Sequence, residues 1–257
     1  MMDLNRPRFA LLFMLLTFSA RATSVAIIVT RTEIVIGTDG VNRIVTNGIK
    51  TFGSYCKIRN ERTTFFTGAG TYWMPTVNFD LWALAKEAIQ KAKTTEGIYD
   101  LIEPVIFARL PDVIRLSKPT DPENYAMWLT GIPVIALSFA SIEDGVPIVA
   151  TIYFQIDGAG KLIKPATRKT LYGEAGRVQY ASLGYNNKMN AVIASPTWGI
   201  EYNRNPIGFV TGLIQKEIDT STTDKRYDVG PPVSIFRISK LFTGWEPGYE
   251  GACKASP

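Results

Sequence analysis

The chain contains no histidine, and this absence removes several kinds of active site from consideration. Neither a Ser-His-Asp triad nor a Cys-His pair can be built, and histidine metal sites are excluded as well. Any hydrolase on this chain must take its general base from another group, and a free α-amino group is one of the few candidates. We expect neither a bound metal nor a cofactor.

The chain also lacks a cluster of basic residues and a long apolar run. Its formal net charge at pH 7 is only +5, which gives no reason to expect nucleic-acid binding. No stretch approaches the ~18 uninterrupted apolar residues that a membrane-spanning helix needs. The 46% apolar content is that of an ordinary globular chain. We therefore expect no membrane partner once the N-terminal segment described below has been removed.

Cysteine is rare, with Cys56 and Cys253 as the two examples. In an oxidising compartment these residues can pair, which would close a long loop and tether the C-terminal tail. Two free buried thiols are the alternative, because the sequence does not give the distance between them. The sequence leaves both arrangements open.

The N-terminal segment has the pattern of a secretory signal peptide. Two arginines precede the apolar stretch Phe9–Phe18, and Ala20–Ala22 forms a small-x-small cleavage site. Cleavage after Ala22 makes Thr23 the first residue of a secreted or periplasmic protein. A threonine at a new N-terminus carries a hydroxyl nucleophile and a free amine base on one residue. Threonine is also common after such sites without any catalytic role.

The chain accordingly divides into a signal peptide, residues 1–22, and one domain, residues 23–257. The domain shows no repeat or linker, and its strand and helix patterns are grouped, which indicates a layered α+β fold. The segment 39–54 has turn composition. The predicted strands are Val25–Val29, Ile34–Gly37, Tyr55–Arg59, Thr63–Thr67, Pro133–Ile142, Pro147–Ile156 and Val233–Ile238. The predicted helices are Val77–Ala92, Ile98–Leu116 and Ile207–Ile218.

Four segments, in order, resemble the β-type subunits of proteasomes and their bacterial relatives, a branch of the N-terminal nucleophile (Ntn) hydrolases. Those chains open on a Thr-[Thr/Ser] strand and continue through a hairpin to an aspartate. Next in those chains come a lysine on the following strand and then a loop of small residues that leads into the first helix. The detailed resemblance covers residues 23–92 and implies a four-layer αββα sandwich. The corresponding segments here are Thr23-Ser24, Gly37-Thr38-Asp39-Gly40, Cys56-Lys57-Ile58 and Thr67-Gly68-Ala69-Gly70.

The resemblance implies four catalytic residues: Thr23, Asp39, Lys57 and Gly70. The Thr23 hydroxyl is the nucleophile, and its own α-amino group, with an ordinary pKa of roughly 7.7–8.0, is the base. The Lys57 ammonium favours the neutral amine, and Asp39 holds Lys57 in place. The backbone N–H of Gly70 contributes to the oxyanion position.

This chain departs from the family's pattern in two respects. The interval from Asp39 to Lys57 is longer than usual, so Lys50 competes for the lysine role. The positions of a supporting aspartate and two supporting serines fall on Arg226, Val229 and Tyr185. These changes lie around the nucleophile, and they affect the inference of activity more than that of the fold.

The first functional hypothesis is a secreted amidohydrolase that cleaves a peptide or another amide bond through an acyl ester on Thr23. The sequence does not separate a peptidase from an acylase. Assembly into a homo-oligomer is left open. The alternatives are a catalytically inactive Ntn-fold binding or structural protein, and an unrelated secreted α+β protein.

Overall fold

A computed structural model describes the backbone of residues 17–21 and, in full, residues 23–46, 49–184, 186–224 and 228–253. This part of the chain contains both sheets and helices, so the α+β class is confirmed. The strands are β1 Thr17–Arg21, β2 Ser24–Val29, β3 Glu33–Thr38, β4 Val41–Thr46, β5 Ile49–Ser54, β6 Ile58–Glu61, β7 Thr64–Met74, β8 Phe79–Asp80, β9 Ile135–Glu143, β10 Val146–Phe154, β11 Thr167–Tyr172, β12 Gln179–Gly184, β13 Ser234–Ser239 and β14 Thr243–Trp245. The helices are α1 Leu81–Lys91, α2 Ile98–Thr120, α3 Pro122–Leu129, α4 Asn187–Ile193, α5 Trp198–Arg204 and α6 Pro206–Thr223.

The strands form two sheets. The larger sheet has the order β11-β10-β9-β7-β1-β4-β5, and β6 and β8 also pair with β7. The smaller sheet has the order β12-β2-β3-β13-β14. Strand β1 belongs to the larger sheet, whereas β2 begins the central hairpin of the smaller one. The chain therefore passes from one sheet to the other between Arg21 and Ser24.

Buried apolar side chains form three clusters that connect the sheets and helices. One cluster joins helices α1, α2 and α3 to the larger sheet, with Tyr72, Ile106 and Phe139 among its members. A second lies between the two sheets and includes Ile27 and Val149. The third joins the smaller sheet to α4, α5 and α6. Burial of apolar surface on both faces of both sheets provides the main stabilising term.

The predicted strands within residues 25–37 form the hairpin of β2 and β3, and those within residues 133–156 form the hairpin of β9 and β10. The prediction of a turn-rich segment over residues 39–54 was wrong, because β4 and β5 pair there. The predicted loop at 67–70 was also wrong, since these residues lie inside β7. Helix α1 starts later than predicted because Asp80 caps it, accepting hydrogen bonds from the backbone N–H groups of Trp82 and Ala83.

Cys56 and Cys253 form a disulfide, which decides between the two arrangements that the sequence left open. The bond links residues 197 positions apart and attaches the C-terminal tail beside β6. Cross-linking residues so distant in sequence restricts the unfolded chain strongly.

Replacing both cysteines, Cys56→Ser with Cys253→Ser, is expected to lower the free energy of unfolding by about 3–5 kcal/mol. Urea unfolding followed by tryptophan fluorescence measures the change. Wild-type protein with a reducing agent in the same titration is the control and should match the double variant. A loss below about 1 kcal/mol would show that the disulfide does not stabilise the native state.

None of the helices in the described ranges is long and apolar enough to cross a membrane.

Candidate active site

Asp39 and Lys57 form an ion pair that is completely excluded from solvent. The Lys57 Nζ lies 2.6 Å from Asp39 Oδ1, and both side chains are 0% exposed. Asp39 follows β3, and Lys57 immediately precedes β6, so the pair connects the two sheets. The expected Asp39–Lys57 contact is therefore confirmed. Lys50 instead pairs with Glu123 on the surface, so it does not take the lysine position.

The Asp39 carboxylate also binds three backbone N–H groups. Its Oδ1 accepts from Ser24 N at 2.8 Å, and its Oδ2 accepts from Val41 N at 3.1 Å and from Gly230 N at 3.4 Å. A buried carboxylate needs such partners, because an unsatisfied charge in the interior is costly. Asp39 thus fixes the start of β2, where Thr23 is attached, relative to Lys57.

Thr23 lies at the start of the smaller sheet's central hairpin and is 0% exposed. Its hydroxyl Oγ1 has no hydrogen-bond partner among the described residues. Lys57 therefore makes no hydrogen bond to this hydroxyl. The Thr23 nitrogen belongs to the peptide bond with Ala22, so it is not a free amine in this chain.

Gly184 lies against Thr23, and Gly70 follows Ala69, a second neighbour of Gly184. A Cβ atom on Gly184 would lie 1.6 Å from the Thr23 carbonyl oxygen and 3.2 Å from the Ala69 Cβ. Gly184, at the end of β12, therefore brings Thr23 and the Ala69–Gly70 segment of β7 together, a role that the sequence did not indicate. Gly70 has φ +97°, and a Cβ there would lie 2.1 Å from the Val134 carbonyl oxygen. Only glycine fits either position.

Strand β1, which belongs to the predicted signal peptide (residues 1–22, named the leader below), fills a slot between β7 and β4. On one side Ser19, Ala20 and Arg21 pair with Trp73, Thr71 and Gly70 of β7. On the other side, residues 17–19 pair with residues 44–46 of β4. Both pairings are antiparallel, so the leader backbone is held from two sides. Removal of the leader would leave two facing strand edges with unpaired backbone groups.

Of the three positions where the family has a supporting aspartate or serine, the structure describes only Val229. Tyr185 and Arg226 lie outside the described residues, as do residues 1–16. Val229 is buried in the cluster beneath α6 and offers no hydroxyl. Burial raises the pKa of Tyr153, whose hydroxyl donates to the Ser182 carbonyl near Gly184, to about 12. This phenol therefore stays protonated at neutral pH and does not replace the α-amino group as a base.

Thr23 does not line either of two open cavities. One, of about 530 Å³, is lined by the Cys56–Cys253 disulfide and by aromatic residues of β7, α1 and β13. The other, of about 740 Å³, lies among the turns at the far ends of the β2–β3 and β13–β14 hairpins. Within the described ranges, no group of three or more Cys, Asp or Glu side chains is placed to hold a metal ion.

No family model matches this chain, and no curated protein matches it. Among solved structures, the chain is similar to the Anbu (Gly-1) mutant from Hyphomicrobium sp. strain MC1. The TM-score is 0.48 at 13% sequence identity, over 87% of this chain and 86% of that one. Similarity at this level does not assign a family.

Proposed function

We propose that this protein is a secreted or periplasmic N-terminal threonine hydrolase with the four-layer αββα architecture of the Ntn hydrolases. Signal peptidase cleaves after Ala22, and the released Thr23 attacks a peptide or other amide bond. The catalytic residues are Thr23, Asp39, Lys57 and Gly70. The enzyme needs no metal or cofactor, and assembly of several copies is compatible with the mechanism.

The buried Asp39–Lys57 pair is the observation that supports this proposal most strongly. A buried ion pair contributes little net stability, because the cost of desolvation offsets the attraction. This pair lies one hydrogen bond from Ser24, the neighbour of Thr23. The proposed mechanism gives the pair a chemical purpose. The α-amino group of Thr23 must stay neutral at working pH to act as a base, and a nearby ammonium favours the neutral form.

The first half of the reaction acylates Thr23. Its Oγ attacks the carbonyl carbon of the scissile amide, and the proton passes to the α-amino group, directly or through a water. The carbonyl oxygen becomes negative and accepts a hydrogen bond from the Gly70 N–H. The C–N bond then breaks, and the protonated α-amino group gives its proton to the leaving amine. The acyl group remains as an ester on Thr23.

The second half restores the enzyme. The α-amino group removes a proton from a water molecule, which attacks the ester carbon. The C–O bond to Thr23 breaks, Oγ regains a proton, and the carboxylic acid product leaves. Throughout, Lys57 provides a fixed positive charge near the reacting atoms, and Asp39 holds it in place.

The slot filled by β1 favours an extended peptide over a small amide as substrate. The leader precedes Thr23 directly. We infer that its strand and the acyl part of a substrate reach Thr23 from the same side. Strand edges of β7 and β4 would bind a peptide backbone as they bind residues 17–21, by β-augmentation.

The alternative is a catalytically inactive protein of the same fold that binds a partner. Val229 favours it, because an apolar side chain stands where the resemblance calls for a serine. The labelling experiment below separates these two functions.

The test is covalent labelling of the mature protein, residues 23–257, with an epoxyketone. This warhead needs a nucleophilic hydroxyl and the adjacent free amine, since it closes a ring on both. We expect one added inhibitor mass on the peptide that contains Thr23. Thr23→Ala should abolish labelling, and Thr23→Ser should retain part of it.

Thr38→Ala is the matched control, because it removes the same atoms from another buried threonine whose hydroxyl lacks a partner among the described residues. It should leave labelling unchanged. Wild-type protein with a verified Thr23 N-terminus that resists both an epoxyketone and a β-lactone would favour the inactive alternative.

A further inference from the structure

Arg43 is a buried arginine that the proposed reaction does not use. It lies in β4 and is 1% exposed. Its Nη2 donates to Asp121 Oδ2 at 2.7 Å, and its Nη1 lies 3.9 Å from Asp228 Oδ1. In the sequence, the one indication that Arg43 is buried is that its charge lies among the apolar residues of the segment 41–46.

Each partner of Arg43 belongs to a different part of the fold. Asp121 forms the corner between α2 and α3: its N–H bonds to the Ser117 carbonyl, and its Oδ1 accepts from Asn124 N at 3.4 Å. Asp228 precedes Gly230, whose N–H donates to Asp39 and whose carbonyl accepts from Gly40 N at 2.9 Å. Arg43 therefore connects β4 to the helical corner and to the loop that supports Asp39.

Strand β4 is the outer wall of the slot that β1 occupies. Among the described strands, it pairs with β1 on one side and with β5 on the other. When the leader has left, the hairpin of β4 and β5 has no strand between it and β7. A peptide that bonds to both walls needs them about two strand spacings apart, roughly 9–10 Å. Side-chain contacts of the hairpin must then maintain this distance.

Burying the charges of Arg43 and its two carboxylate partners is electrostatically costly. These contacts therefore position the three segments more than they stabilise the fold. Burial raises the pKa of the Asp121 carboxyl above its ordinary value, and the Arg43 guanidinium opposes that rise. An apolar pair of similar size is often as stable as a buried ion pair or more so. The planar guanidinium, however, can bind two carboxylates from two directions and so fix three segments at once.

We propose that Arg43 is a positioning residue that holds β4 one strand away from β7, so that the emptied slot accepts an extended peptide. This inference rests on the proposed function for its substrate but concerns peptide binding alone. It predicts that loss of Arg43 weakens binding of an extended peptide and leaves the reactivity of Thr23 toward small reagents intact.

The experiment measures both properties on residues 23–257. The peptide probe is residues 15–22 of this chain with an N-terminal fluorescein and a C-terminal carboxamide. Its binding to the Thr23→Ala protein, which cannot cleave it, is followed by fluorescence anisotropy. The reactivity probe is a small β-lactone without a peptide part, used on protein with Thr23 intact.

For Arg43→Met we expect a dissociation constant at least about tenfold higher for the peptide. The rate of lactone labelling should stay within about threefold of the wild-type rate. Arg43→Lys should lie between wild type and Arg43→Met, because an ammonium binds one carboxylate well but does not span two. Lys50→Met is the matched control: it removes a cation that ties β5 to α3 at the surface, and both measurements should stay unchanged.

A double variant, Arg43→Met with Asp121→Asn, guards against simple unfolding, because it removes the carboxylate that the single change leaves unpaired. It should fold, by circular dichroism, and show the same loss of peptide binding. Unchanged peptide binding in this variant, or an equal loss of binding and labelling, would overturn the proposal. So would a Thr23→Ala protein with Arg43 intact that does not bind the probe. Absence of labelling alone refutes the proposed function and leaves the peptide measurement to decide the role of Arg43.

Discussion

A chain that begins at Thr23 is expected to react with an epoxyketone at least about 100-fold faster than a chain that retains Ala22. The extra residue converts the α-amino group of Thr23 into an amide, which cannot accept a proton. The amine is lost both as the base and as the second nucleophile that closes the ring with the epoxyketone, whereas the threonine hydroxyl, Asp39 and Lys57 are the same in both proteins. The difference should therefore appear in the rate of reaction and not in stability.

Fusion proteins that are cleaved to give either N-terminus provide the two samples, and intact mass confirms each start. Labelling is followed by mass spectrometry over time. The chain that starts at Ala22 serves as its own control for folding through its thermal unfolding midpoint. Equal labelling of the two chains would remove the α-amino group from the mechanism. N-terminal sequencing of the secreted protein then tests whether processing occurs at this bond.

Replacement of Lys57 is expected to affect both reactivity and stability. Lys57→Met removes the charge that the proposed mechanism requires near Thr23. It also leaves Asp39 buried without its ammonium partner, although three backbone N–H groups still bind the carboxylate. Breaking a buried pair in this way costs about 3–5 kcal/mol of unfolding free energy. Labelling should fall by about 100-fold or more, since the amine loses the charge that keeps it neutral.

The double variant Lys57→Met with Asp39→Asn separates these two effects. Asparagine still accepts a backbone hydrogen bond and carries no charge, so part of the lost stability should return, whereas labelling should stay low. Urea unfolding and labelling rates measure the two quantities. Lys50→Met is the control for removal of a paired lysine. Its ion pair is exposed, so stability should change by less than about 1 kcal/mol and labelling should not change. A Lys57→Met protein that labels at the wild-type rate would restrict Lys57 to a structural role.

The sequence alone determined the properties that depend on short-range pattern and on residue chemistry. The absence of histidine restricted the choice of base, and alternating apolar residues located the hairpin of β2 and β3 and that of β9 and β10. The resemblance of four segments, in order along the chain, implied a contact between Asp39 and Lys57, and the structure contains it.

Only the tertiary structure decided the features that depend on residues far apart in sequence. Residues 41–46 and 49–54 form strands although the segment has turn composition. Strand β4 gains its partners from β5 and from the leader, and pairing overrides a weak local preference. The disulfide and the contacts of Arg43 join segments separated by many residues, so no local pattern reports them. No local pattern predicts the leader's place between β4 and β7 either, because the packing of the whole domain sets the neighbours of a strand in a sheet.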